Sequence, residues 1–275
     1  MLAFPHAKIN IGLYVTSRRP DGYHNLETVF YPIPLRDVIE LQPLQNSDDD
    51  WQLRLSGIPV DGQAADNLVV RVFMDLKKEF DLPPLDIHLS KHIPIGAGLG
   101  GGSSDAAFMM TTLNEHFSLG LSDEEMERRM AGYGADCAFF VKSRPVFATG
   151  IGEQMTPLSF SLRGWHFVLV KPPVGVSTRE AYAGVVPQPA PFNLAEAVCR
   201  PVDTWRETVA NDFERSVFKA HPSIAAIKET LYDMGATFAA MSGSGSSVFA
   251  LFDRPTPEAE KVFKDCFVFQ QKLVL

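Results

Sequence analysis

Alternating apolar and polar residues mark several β-strands along this chain. Between residues 8 and 15 every second side chain is aliphatic, which predicts a strand with one buried face. Lys8 and Asn10 share the other face, about 7 Å apart at a strand rise of roughly 3.4 Å per residue. A lone lysine is usually exposed to solvent, and that alternative stays open for Lys8. Further apolar runs predict strands at 51–55, 85–89 and 165–170.

Apolar residues three or four positions apart predict helices between these strands. One such stripe runs from Leu68 to Leu76, and either Asp66 or Asn67 can cap the helix that carries it. The segment 122–125, Ser-Asp-Glu-Glu, is a capping box that predicts the start of a later helix. Another helix is predicted over 223–234.

A glycine-rich connection from Pro94 to Ala107 joins the predicted strand at 85–89 to a helix. It contains five glycines within seven residues, which keep Cβ atoms away from a ligand and permit positive φ. Ser103 or Ser104 can cap the helix, whose first N–H groups then point into the loop. This arrangement is typical of an anion-binding site.

Several kinds of loop compete to explain this stretch. A Walker A loop is excluded because no lysine lies between Lys91 and Lys142. The glycines at 96, 98 and 101 match the dinucleotide G-x-G-x-x-G spacing, but a helix is predicted next, instead of a strand ending in an acidic residue. A Gly-Gly-Gly-Ser-Ser turn that holds a nucleoside triphosphate is the third alternative. A flexible linker is disfavoured, because apolar residues at helical spacing follow immediately.

Composition narrows the classes of function. The 275 residues are 45% apolar, and we expect two domains with a boundary near residue 155. A net charge of -8 without a dense basic block disfavours nucleic acid as a partner. The three cysteines form no metal-binding pattern and are expected to be reduced thiols. Since neither a signal peptide nor a membrane-length apolar run is found, we expect a soluble cytoplasmic protein with no membrane contact.

Other polar and aromatic residues stand where they can contact a ligand. Asp136 is either a helix N-cap or a partly buried carboxylate of the kind found in active sites. Tyr23 and His24 follow a tight turn and suit a flat heterocycle, although an ordinary strand edge explains them equally well. Tyr182 is a second candidate for stacking. The small residues at 242–247 form either a second ligand loop or a β-hairpin turn.

Three stretches, taken together, resemble the ordered motifs of the GHMP small-molecule kinases. From Pro5, Pro94 and Ser242 they read Pro-His-Ala-Lys-Ile-Asn-Ile-Gly-Leu, Pro-Ile-Gly-Ala-Gly-Leu-Gly-Gly-Gly-Ser-Ser-Asp-Ala and Ser-Gly-Ser-Gly-Ser-Ser-Val-Phe-Ala. The segment 19–28, Arg-Pro-Asp-Gly-Tyr-His-Asn-Leu-Glu-Thr, is similar to the branch of this family that phosphorylates cytidine diphospho-methylerythritol. His6 is a departure, because many relatives carry a smaller or an amide residue there.

The resemblance implies an α+β fold of two domains. The N-terminal domain, residues 1–155, would be like the second domain of ribosomal protein S5, and the C-terminal domain, residues 156–275, would be ferredoxin-like. The implied activity is ATP-dependent phosphorylation of the 2-hydroxyl of cytidine diphospho-methylerythritol, with Mg²⁺, in non-mevalonate isoprenoid biosynthesis. A monomer or a homodimer is expected.

The resemblance also assigns roles to single residues. Lys8 and Asp136 match the catalytic pair. The residues that match substrate contacts are Asn10 and His24, with Tyr23 and Tyr182 where aromatic rings sandwich the cytosine. The residues that would wrap the ATP phosphates are Pro94, Ile95, Gly96, Ala97, Gly98, Leu99, Gly100, Gly101, Gly102, Ser103 and Ser104.

Three rival interpretations remain at this point. Another GHMP kinase, acting on a sugar or an amino alcohol, would keep the glycine loop and Asp136 but leaves Tyr23 and His24 unexplained. A nucleotide-binding regulatory protein without turnover is disfavoured by the presence of both Lys8 and Asp136. A dinucleotide-dependent oxidoreductase ranks last.

Overall fold

The structure is a computed structural model that describes residues 1–45, 48–256 and 258–274. Within these ranges the strands are β1 (Leu2–Ala3), β2 (His6–Arg18), β3 (His24–Arg36), β4 (Val38–Pro43), β5 (Trp51–Gly57), β6 (Leu85–Lys91), β7 (Val146–Thr149), β8 (Gln154–Pro157), β9 (His166–Lys171), β10 (Phe238–Met241), β11 (Val248–Phe252) and β12 (Phe267–Lys272). The helices are α1 (Leu68–Glu79), α2 (Gly101–His116), α3 (Asp123–Ala131), α4 (Phe139–Lys142), α5 (Thr178–Ala183), α6 (Leu194–Ala197), α7 (Trp205–Thr208), α8 (Phe213–Ala220), α9 (Pro222–Asp233) and α10 (Ala259–Val262). This mixture confirms the predicted α+β class.

The chain folds into two compact units, and each is assembled from separate segments. The first unit consists of Met1–Ala7, Leu35–Ile95 and Gly100–Ser143. The second consists of Lys8–Pro34, Gly96–Leu99 and Arg144–Leu275. The predicted boundary near residue 155 stays a prediction, and both units include residues that precede it.

The first unit is built on a four-stranded sheet in the order β1-β4-β6-β5, in which β5 and β6 are parallel. Helix α1 packs against α2. Asn67 is the N-cap of α1 and is one of the two residues predicted for this position; its side chain accepts a hydrogen bond from the N–H of Val69. Ser122 is the N-cap of α3, as predicted, and its hydroxyl accepts a hydrogen bond from the N–H of Glu125. The Glu125 carboxylate pairs with Arg129, so only the Ser122 half of the predicted capping box is observed. The buried side chains of the two packed helices include Val69, Val72, Phe73, Leu76, Met109, Met110 and Leu113.

The second unit contains two four-stranded sheets, β2-β3-β7-β8 and β10-β11-β9-β12. One apolar cluster of this unit joins Leu13 and Val15 of β2 to side chains from the second sheet and from helices α8 and α9. The predicted helix over 223–234 corresponds to α9. Among the described residues, no helix combines the length and the apolar character needed to cross a bilayer.

Strand β2 is buried on both faces, so the prediction of a single buried face is wrong. Ile9 and Ile11 have no exposed surface, and Lys8 and Asn10 on the opposite face are only 3% exposed. Alternation reports the polarity of side chains and not their burial. Polar groups can lie inside a protein where hydrogen bonds satisfy them, as they do on this strand.

Candidate active site

The glycine-rich loop takes its shape from three alternating left-handed residues. Gly96, Gly98 and Gly100 have φ values of 61°, 73° and 69°, a region that L side chains rarely adopt. Gly100 is the N-cap of α2, so the prediction that Ser103 or Ser104 caps this helix is wrong. Both serines lie inside the first turn, because the left-handed glycine already redirects the chain into the helix.

The loop packs closely against the second stretch of small residues. A Cβ atom on Gly98 would overlap the carbonyl oxygen of Ser242. The Ser242 hydroxyl donates a hydrogen bond of 2.8 Å to the carbonyl of Gly98 and accepts one of 3.1 Å from the N–H of Asn10. Glycine is therefore required at position 98 for two reasons: the backbone of Ser242 is too close for a Cβ atom, and φ is positive.

The second loop is also the turn of a β-hairpin. It connects β10 to β11, which are antiparallel and pair Met241 with Val248. Asn211, 3% exposed, donates from Nδ2 to the carbonyls of Met241 and Gly243, each at 2.8 Å. The hairpin alternative is thus confirmed, and the same turn lies against the glycine loop at Gly98.

Lys8 is a buried cation with a defined neighbour. Its Nζ donates a hydrogen bond of 2.6 Å to Oδ1 of Asn10. It also lies 4.6 Å from the centre of the Phe30 ring. The solvent-exposed alternative for Lys8 is wrong, since a buried ammonium is tolerated only where polar or aromatic groups replace water. The structure therefore brings two of the predicted site residues, Lys8 and Asn10, into direct contact.

Asp136 lies in the turn that precedes α4 and is half-buried. The N-cap of α4 is Ala138, so the N-cap alternative for Asp136 is wrong. Burial raises the pKa of the neighbouring Cys137 thiol, a hydrogen bond with Ser103 opposes this rise, and the charge of Asp136 adds to it. All three cysteines are free thiols, as predicted.

The structure shows the surroundings of the three aromatic candidates, His24, Tyr182 and Tyr23. The ring of His24 stacks on that of Tyr182, with 4.9 Å between centroids and 20° between planes. Phe213 packs edge-on against Tyr182 at 4.8 Å. Tyr23 is 62% exposed. The structure therefore brings His24 to the face of Tyr182, and a sandwich of cytosine between Tyr23 and Tyr182 stays a prediction.

Two buried polar atoms at the start of α2 have no hydrogen-bond partner among the described residues. They are Oγ of Ser104, which is fully buried, and Oδ1 of Asp105, which is 3% exposed. Such atoms are uncommon in folded proteins and are often satisfied by a bound ion or ligand. The Ser104 hydroxyl is a suitable oxygen ligand for Mg²⁺. Within the described ranges, no group of three or more His, Cys, Asp or Glu side chains forms a metal cluster.

Three polar residues of this region were missed by the sequence interpretation. Thr28 and Asn211 are buried: the Thr28 hydroxyl accepts from Nδ2 of Asn10, and Asn211 donates to the carbonyls of Met241 and Gly243. Asp105 directly follows the glycine loop. Only Asn211 carried a local signal, because an Asn-Asp pair between two apolar segments suggests a side chain that bonds to the backbone.

Family models match both halves of this chain. The model for the GHMP kinases N terminal domain matches residues 67–144, and the model for the GHMP kinases C terminal region matches residues 194–265. The 4-diphosphocytidyl-2-C-methyl-D-erythritol kinase of Bacteroides fragilis is 53% identical over 273 residues, covering 99% of this chain and 100% of that protein. Its counterpart in Parabacteroides distasonis is 51% identical over 274 residues, with the same coverage.

Solved structures agree with these matches. A crystal structure of 4-(cytidine 5'-diphospho)-2C-methyl-D-erythritol kinase is similar to this chain with a TM-score of 0.80 and 30% identity, covering 98% of each chain. A homoserine kinase from Cytophaga hutchinsonii has a TM-score of 0.64 at 17% identity, covering 98% of this chain and 95% of its own. The similarity to the homoserine kinase is evidence for the fold only.

Proposed function

This chain belongs to the 4-diphosphocytidyl-2-C-methyl-D-erythritol kinases, a family of GHMP kinases, and we propose that it phosphorylates the 2-hydroxyl of that cytidine compound with ATP. The protein is a kinase, and its reaction serves isoprenoid biosynthesis. The observation that supports this proposal is the 53% identity to the Bacteroides fragilis kinase, which extends over 99% of this chain and 100% of that protein. An alternative acceptor, such as homoserine, has in its favour only a likeness of fold. We expect the protein to work in the cytoplasm.

The glycine loop is proposed to hold the triphosphate of ATP. Positive φ at Gly96, Gly98 and Gly100 leaves the backbone open to close approach, and the first turn of α2 supplies N–H groups and the positive end of the helix dipole. Phosphoryl transfer depends mainly on positioning and on charge stabilisation, which fixed dipoles provide. Mg²⁺ would neutralise phosphate charge, with the Ser104 hydroxyl as its proposed protein ligand.

Lys8 and Asp136 are proposed as the catalytic pair. Asp136 would accept the proton of the acceptor hydroxyl while the hydroxyl oxygen attacks the γ-phosphorus of ATP, whose bond to ADP breaks so that ADP leaves. Lys8 would orient that hydroxyl for its attack on the phosphate. The buried ammonium held by Asn10 supports this role, since an oriented cation needs no reorganisation during the reaction.

Substitution of each partner tests these roles. We expect Asp136→Asn and Lys8→Ala each to lower kcat by at least about tenfold, the lower part of the range for general acid–base catalysis. Steady-state ADP release and thermal unfolding should be measured on the same preparations. Asp75→Asn is a suitable control, since Asp75 is an exposed carboxylate paired with Lys78. Near-full kcat in folded Asp136→Asn would remove Asp136 from the mechanism.

The cytidine base is proposed to be read by the aromatic region of the second unit. Stacking on an aromatic ring accepts any flat base, whereas hydrogen bonds near His24 would select cytosine. ADP release should therefore be measured with the cytidine diphospho-methylerythritol and with its uridine analogue. We expect kcat/KM to be at least about tenfold higher for cytidine, because an unpaired polar group in a site is costly. Equal values of kcat/KM for the two acceptors would contradict recognition of the base. If the protein binds ATP but releases no ADP with any acceptor, the regulatory alternative is favoured.

A further inference from the structure

Thr28 lies on strand β3, beside the part of β2 that carries Lys8 and Asn10. It is 1% exposed. Its hydroxyl donates a hydrogen bond of 2.6 Å to the carbonyl of Gly12 and lies 2.9 Å from Nδ2 of Asn10. Asn10 in turn accepts from Nζ of Lys8 through Oδ1. These hydrogen bonds form one buried network that connects the carbonyl of Gly12 to the ammonium of Lys8.

The direction of every hydrogen bond in this network follows from the bond between Thr28 and the carbonyl of Gly12. A carbonyl oxygen can only accept, so the single proton of the Thr28 hydroxyl is committed to Gly12. Toward Asn10 the hydroxyl can then only accept, and it requires the amide NH₂ at that position. The two ends of an asparagine amide are otherwise interchangeable in shape. With NH₂ directed to Thr28, the amide oxygen is the atom that faces Lys8.

The opposite orientation of the amide would be unfavourable at both ends. It would place the NH₂ group of Asn10 against an ammonium that has three donors and no acceptor. It would also leave two acceptor oxygens facing each other at Thr28. Because the region is buried, water cannot relieve either conflict.

We propose that Thr28 is a positioning residue for the reaction, because it sets the amide of Asn10 and thereby holds the ammonium of Lys8 in place. This inference rests on the catalytic role proposed for Lys8. In this proposal Thr28 does not touch the reacting atoms. Its effect on turnover passes through Asn10.

Thr28→Val tests the proposal, because valine keeps the shape of the side chain and removes the hydroxyl. We expect kcat to fall by about tenfold to a hundredfold, the effect of misplacing a catalytic group by about 1 Å, while the KM for ATP changes less than about threefold. Thr28→Ser keeps the hydroxyl and is expected to restore most of kcat. Thr149→Val is the matched control, since Thr149 follows Ala148, which pairs with Thr28, and its hydroxyl makes only a long contact of 3.5 Å with Gln154.

A double-mutant cycle separates positioning from general loss of structure. In a Lys8→Ala background, Thr28→Val is expected to change kcat by less than about twofold, because the group that it positions is absent. An equal loss of kcat in both backgrounds would overturn the proposal, and so would an unchanged kcat in Thr28→Val alone. If Lys8→Ala keeps its kcat, the role proposed for Lys8 fails first. Should Thr28→Val not fold, Thr28→Ala removes the same hydroxyl without added bulk and is subject to the same criteria.

Discussion

The most unusual side-chain cluster of the first unit is a buried pair of carboxylates that share one lysine. Lys91 donates to Asp37 and, at 2.6 Å, to Asp105, and all three side chains are nearly without exposed surface. Asp37 also accepts from the N–H of Ile93 at 2.8 Å. Burial raises the pKa of Asp105 to about 7, the charge of Asp37 adds to this rise, and Lys91 opposes it. With both carboxylates ionised the cluster would carry an unbalanced negative charge.

Asp105→Asn is expected to reduce the dependence of stability on pH. The pKa of Asp105 in the folded protein, about 7, exceeds its ordinary value of 3.8, so the native state binds more protons than the unfolded chain between these values. Its contribution to the free energy of unfolding is complete below pH 3.8 and is lost as pH rises through 7. Asparagine imitates the neutral acid, so this loss should disappear in the variant.

Urea unfolding at pH 5 and pH 7.5 measures the change. A single group of this kind contributes up to about 1.4 kcal/mol per pH unit between its two pKa values. Asp75→Asn is a control, because hydrogen bonds from Lys78 and Tyr133 lower the pKa of Asp75 and move its titration below this range. If Asp105→Asn and the parent protein lose stability in parallel between the two pH values, Asp105 is ionised throughout.

At the scale of elements, local sequence signals located several of the strands and helices. Ser122 caps α3 as predicted, and Asn67 caps α1 as one of its two predicted candidates, because a side-chain cap depends on residues close in sequence. The start of α2 was mispredicted, because Gly100 competes with two serines and only the backbone conformation decides between them. The roles of Thr28 and of the lysine-linked carboxylates could not be predicted, since their partners are distant in sequence.

Gly98→Ala is expected to destabilise the protein strongly. The new Cβ would overlap the Ser242 carbonyl, and φ at this position is 73°. We expect a loss of at least about 2 kcal/mol in the free energy of unfolding, together with weaker ATP binding, from a steric clash combined with a strained backbone. Gly102→Ala is the matched control, because that residue lies in α2 and a Cβ there meets nothing within 4 Å. Equal stability of the two variants in chemical denaturation would show that the loop tolerates a side chain at 98.

At the scale of the whole molecule, the family and the fold class could be predicted because the three motifs are ordered along the chain. The composition of the two compact units could not. Segment 8–34 belongs to the same unit as residues 144–275, although more than a hundred residues lie between them. Periodicity describes only residues that are close in sequence. It therefore does not predict that Leu13 and Val15 of β2 pack in a cluster made largely by the C-terminal half.

The contact between Gly98 and Ser242 also determines when the glycine loop can take its final shape during protein synthesis. Residue 98 leaves the ribosome long before residue 242, and the glycine loop meanwhile lacks the backbone against which it is shaped. A nascent chain that stops before Ser242 contains every residue of the loop from 94 to 104 and still does not hold it in its final form. The loop that is proposed to hold ATP therefore reaches its final form late in translation, when the turn between β10 and β11 has emerged.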